Sequence, residues 1–118
     1  MPAGYVIAES VRVGARLEGF SFTLIRVERH LIEDATTDQP SVWTMIHFEF
    51  PEHEAERLAD ALAEVLDGPW YANFDSDGDT FVIFPSRVVR YRREDDAARA
   101  EAEAYARTLG IPDDQLDW

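Results

Sequence analysis

Asp75-x-Asp77-x-Asp79 sets three carboxylates two residues apart, the spacing with which a calcium loop begins. Such a loop also needs glycine at its sixth position and a bidentate acid at its twelfth, and counting from Asp75 these are Thr80 and Ser86. The same residues suit a solvated hairpin tip, because Asp and Gly favour the backbone angles of a tight turn. The three histidines are the next candidates. His47 and Glu49 share a strand face and His53 lies just inside the following helix, so imidazole and carboxylate could converge on a divalent ion if the helix start turned back toward that face. His30 joins them only if the strand register has odd parity. With the connecting loop centred near Thr37, Val27 faces His47 and His30 points the other way. Polar residues on a half-exposed face account for the pattern as well, so no metal and no cofactor are assigned. None of the serines sits in a Gly-x-Ser-x-Gly elbow, and no glycine-rich phosphate loop is present. The residues left for chemistry are His47, Glu49 and Tyr71, candidate ligand-binding groups for a pocket between helix and sheet.

The whole-chain totals narrow the classes. At 118 residues one core and a single domain, 1–118, are expected. The absence of cysteine removes disulfide frameworks, thiolate metal sites and cysteine nucleophiles. Eleven basic against 24 acidic residues give a net charge of −13, which repels phosphate backbones and anionic lipid, so no nucleic-acid or membrane partner is expected. Residues 1–9 carry neither a basic stretch nor a long apolar run, and the expectation is a cytoplasmic protein.

The elements that must position these groups follow from periodicity. Trp70 to Phe84 reads as a hairpin around Asp77-Gly78, with Ser76 opposite Asp79, Phe74 opposite Phe81, Ala72 opposite Ile83 and Tyr71 opposite Phe84. Both of its faces are apolar, as in a sheet covered on two sides. Strands are also expected over 22–32, 42–50 and 88–92, with a further short strand or turn near 5–13. In the second of these Val42, Thr44, Ile46, Phe48 and Phe50 form the core face, while Trp43, Met45, His47 and Glu49 form a half-exposed one. Helices are expected over 52–66, opened by Pro51 and closed by Asp67-Gly68-Pro69, and over 95–109, closed by Gly110 and Pro112. The order β-β-α-β-β-β-α predicts an α+β fold, an antiparallel sheet of about five strands with two helices on one face.

The run from Trp70 through Tyr91, the alanine-rich helix from Arg99 and the ending Gly110-Ile-Pro-Asp-Asp-Gln-Leu-Asp-Trp118 resemble a group of small uncharacterised bacterial proteins of unknown function. That resemblance implies a stand-alone α+β domain and attaches no activity or site residue to it.

Two helices on one side leave the Trp43–Met45 row short of cover, which points to a non-catalytic interaction domain, a homodimer. A small-molecule binder or enzyme using His47, Glu49 and Tyr71 is the alternative reading. An acidic surface for a basic protein partner is a third.

Overall fold

Apolar residues on both sides of one hairpin need two separate covers, and this requirement organises the molecule. The computed structural model describes residues 1–118, with strands β1 (Ala3–Ile7), β2 (Thr23–Leu31), β3 (Val42–Glu49), β4 (Ala72–Ser76), β5 (Asp79–Phe84) and β6 (Arg87–Arg92) and helices α1 (Ala55–Val65) and α2 (Asp96–Thr108). The strands form two antiparallel three-stranded sheets, in the orders β1-β3-β2 and β4-β5-β6. The fold is α+β, but the single sheet of about five strands expected from the sequence is replaced by two sheets and six strands. A Cβ added at Gly4 would stand 3.6 Å from Phe74 Cβ, which places β1 alongside β4 although no ladder joins them.

The second sheet is the expected hairpin extended by one strand. Ser76 pairs with Asp79, Phe74 with Phe81 and Ala72 with Ile83, around a loop in which Asp77 and Gly78 have φ of 52° and 81°. The ladder stops at Ala72, and the Tyr71 and Phe84 rings lie 6.4 Å apart beyond it. Phe74, Phe81 and Ile83 pack against Leu58, Ala59 and Leu62 of α1. Val82, Phe84 and Tyr91, on the alternate side, pack against Ala102 and Ala106 of α2. The helices therefore take opposite faces of this sheet rather than one face together. Alternation in β5 dictates this, since Val82, Ile83 and Phe84 are all fully buried and one helix can seal only one side.

Both helices end as their sequences require. Asp95 caps α2 by accepting a bond from Ala98 N–H, and at the other end Ile111 N–H reaches the Ala106 carbonyl while Gly110 N–H reaches that of Arg107. Gly110, at φ 84°, makes that reversal possible. Helix α1 begins three residues later than its pattern suggests, because Glu52–Glu54 form a tighter turn ahead of it. No helix is long and apolar enough to cross a membrane.

The first sheet is built differently. Its middle strand β3 pairs Ile46 with both Val6 and Val27, and β2 carries an irregularity between Leu24 and Arg26. Arg26, not Val27, lies opposite His47, and His30 pairs with Trp43. His30 and His47 consequently share a face, the reverse of what a loop centred at Thr37 predicts. Trp43 is partly covered by its own chain, through an edge-on contact with Trp70 at 5.0 Å. The strand left without cover is β2, where Leu24, Ile25, Val27 and Leu31 are 46–71% exposed.

Candidate functional site

Each face of the first sheet carries a separate arrangement. On the face of His47, alternation places Tyr5, Trp43, His47, Arg26, Glu28 and His30 together. The Tyr5 and His47 rings lie 5.2 Å apart. Glu28 is the hub of the group: Arg26 Nε donates to it at 2.7 Å, His30 Nε2 lies 3.2 Å away and His47 Nε2 2.8 Å away. The His47 Nε2 has no hydrogen-bond partner, so its contact with that carboxylate is a close approach and not a hydrogen bond. Donation from Arg26 holds the Glu28 carboxyl below its usual range against an opposing cost of desolvation, with His30 adding to the lowering. No three His, Asp or Glu side chains gather at metal-holding geometry.

Beyond Tyr5 the same face opens into a cleft of about 210 Å³. It is walled by Tyr5, Trp43, Trp70 and Tyr71 and rimmed by Asp34, Asp114 and Asp117. The structure thus brings Tyr71 into the cleft and leaves His47 one ring behind it, whereas Glu49 lies two residues further along β3, opposite Ala3 and Thr23. The cleft lies between the first sheet and the segments around 70 and 115, not between a helix and a sheet. Two devices hold its rim. Gln39 and Gln115 exchange side-chain hydrogen bonds of 3.0 and 2.9 Å, and the Gln39 amide also donates to the Pro69 carbonyl. Trp118 packs edge-on against Tyr71 at 4.9 Å and donates its indole N–H to the Tyr91 hydroxyl.

The Tyr71 hydroxyl lies 2.5 Å from the Gln115 carbonyl oxygen and 2.6 Å from the Asp117 carboxylate, two acceptors for one hydrogen. Burial first, then the Asp117 carboxylate, push its pKa above the ordinary tyrosine range. Burial and the same carboxylate raise Tyr5. Both phenols stay protonated at neutral pH, and that of Tyr71 serves as a hydrogen-bond donor. Asp34, Asp114 and Asp117 escaped the sequence reading because they sit in irregular segments, and only the docking of Gln39, Ile111 and Trp118 gathers them.

The opposite face of the sheet carries an apolar groove. Val6, Val11, Leu17, Phe22, Leu24, Ile46 and Phe48 line about 530 Å³ with no polar side chain among them. Its outer wall is the connection between β1 and β2, held down by Glu54. That buried carboxylate accepts from Ser21 N–H at 3.1 Å and from Arg57 at 3.2 Å, while Arg57 also donates to the Gly19 carbonyl and lies over the Phe20 ring. Phe22 completes the wall by stacking on Phe48 at 4.4 Å. Leu24 of β2 lines the groove, and the exposed Val27 of the same strand pairs with its lining residue Ile46. No family model, curated protein or solved structure matches the chain.

Proposed function

We propose that this protein is a non-catalytic interaction domain that self-associates through the β2 side of its first sheet. One observation carries the reading: Leu24, Ile25, Val27 and Leu31 stand exposed on a strand that is hydrogen-bonded on one side only, next to a wholly apolar groove. Exposed apolar surface of this kind on a water-facing strand favours association, because each Å² of apolar area removed from water contributes roughly 25 cal/mol. The chemistry of the other face supports the same conclusion. Its cleft holds no serine, threonine or cysteine nucleophile beside a base, and its phenols are held protonated. Sedimentation velocity across the micromolar range tests the proposal: the wild-type chain should shift from monomer toward dimer, and Leu31→Asp should stay monomeric. A wild-type chain that is monomeric throughout the range contradicts it.

A second reading belongs to the cleft. Four aromatic side chains beside three carboxylates, none of them paired with an arginine, suit a small organic cation. A volume of about 210 Å³ restricts the occupant to something near the size of tetramethylammonium. Quenching of Trp43 and Trp70 fluorescence by that ion, lost in Trp43→Ala, would support a ligand-binding role. Fluorescence unchanged up to high ion concentration would remove it.

A further inference from the structure

We propose that two copies of the chain pair through β2, antiparallel and edge to edge, about a twofold axis at Val27, so that Arg26 of each copy faces Glu28 of the other. This rests on the self-associating reading and names the element and register that carry it. The order β1-β3-β2 leaves one edge of β2 with unpaired backbone N–H and C=O groups. Antiparallel joining of two such edges turns two three-stranded sheets into one of six strands and closes both edges together.

Symmetry and charge select the register. A twofold axis perpendicular to a sheet maps each face onto itself, so it must pass through a residue that faces its own copy. Centring on Arg26 or Arg29 sets guanidinium against guanidinium, and centring on Glu28 sets carboxylate against carboxylate. Centring on Val27 sets apolar against apolar and creates two Arg26–Glu28 pairs, one on each side of the axis. Within one chain these two groups are already 2.7 Å apart on the same face, so both are positioned to bridge the interface. Charges along an edge strand ordinarily deter pairing. Here they deter every neighbouring register and favour one.

Two further observations agree with a second copy as the occupant. Over Thr23–Leu31 the formal charge is 2 − 1 = +1, from Arg26 and Arg29 against Glu28, so this edge lacks the excess of acidic groups that gives the chain its net charge of −13 and that would set two copies against each other. The irregularity between Leu24 and Arg26 shifts the ladder by one residue beyond Ile25. That shift brings Leu31 of the second copy, 71% exposed in one chain, beside Phe22 and Leu24 at the mouth of the apolar groove.

Because the chain contains no cysteine, single cysteines report the register directly. Residues facing each other across an antiparallel ladder have Cα atoms about 4.5–5.5 Å apart, within disulfide reach. Val27→Cys should therefore form an intermolecular disulfide under mild oxidation, and Leu31→Cys should not. Arg26→Glu and Glu28→Arg should each weaken self-association by about tenfold, and an equimolar mixture of the two should restore it as a heterodimer, because each variant then meets its opposite. A variant weakened by its own misfolding would not be rescued by mixing. Dimers that form without a Val27→Cys disulfide, or that cross-link faster through Leu31→Cys, overturn this register and leave self-association standing; a wild-type chain that stays monomeric overturns both.

Discussion

The two sheets have the same number of strands and the same antiparallel pairing, yet one is sealed and the other is open. In the second sheet β5 is buried on both sides, under α1 and under α2, and four of its six residues are 2% exposed or less. In the first sheet β2 is exposed along almost its whole length, apolar residues included. The helices seal the second sheet on both sides, whereas the first joins the core through Val6 of β1 and Phe48 of β3, and β2 contributes no residue to it. The difference teaches that a strand's apolar content does not by itself say what it serves: in β5 it builds the core, and in β2 it makes a contact surface.

Truncations in the two sheets should separate these roles most sharply. Phe84→Ala removes a fully buried ring and should cost about 3–5 kcal/mol in urea unfolding. Leu31→Ala, at 71% exposure, should stay within about 0.5 kcal/mol for the monomer and act on association instead. Equal losses at both positions would break the comparison. Helix α2, which seals one face of the second sheet, depends on its two ends. Gly110→Ala should destabilise by about 1–2 kcal/mol through the left-handed backbone alone, since nothing lies within 4 Å of the added methyl. Asp95→Ala should cost about 1 kcal/mol by losing the cap at Ala98.

Alkaline titration probes the seam between the sheets. The folded-state pKa values of Tyr5 and Tyr71 are raised, so the folded protein keeps protons that the unfolded chain releases near pH 10. Their contribution is fully present below that pH and is lost as pH rises above it. Unfolding free energy should therefore decline on the alkaline side, less so in Tyr71→Phe, and tyrosinate absorbance should show late-titrating groups. Ordinary titration of every tyrosine would contradict the buried seam. The smallest effect is expected at Ser86, which holds φ 63° in the β5–β6 turn while its N–H donates to the Ala63 carbonyl. Ser86→Gly should relieve that strain and stabilise by about 0.5 kcal/mol.

The sealed sheet was legible in the sequence and the open one largely was not. Asp77-Gly78 and the alternation on either side of it are local information, enough to give the hairpin register residue by residue. The ends of α2 are equally local, written in Asp95, Gly110 and Ile111. The register of Arg26–Leu31 depends on how residues 32–41 fold, which periodicity does not encode, and so His30 was expected on the wrong face; the irregularity at Ile25 alters only the pairing of Thr23 and Leu24. That the strands divide into two sheets, with one helix on each side of the second, follows from long-range packing that the element order alone leaves open. Of the candidate site residues, Tyr71 reached the cleft because the hairpin placed it. Asp34, Asp114 and Asp117 arrived through loop docking that leaves no periodic trace.

Amide hydrogen exchange followed as a function of protein concentration tests the central claim most directly, with the second sheet as reference within the same molecule. Amides of β2 between Arg26 and Leu31 should become more protected as concentration rises through the micromolar range, while those of β5 remain unchanged. Exchange in β2 that is fast and independent of concentration would contradict the assignment of this edge as the contact surface.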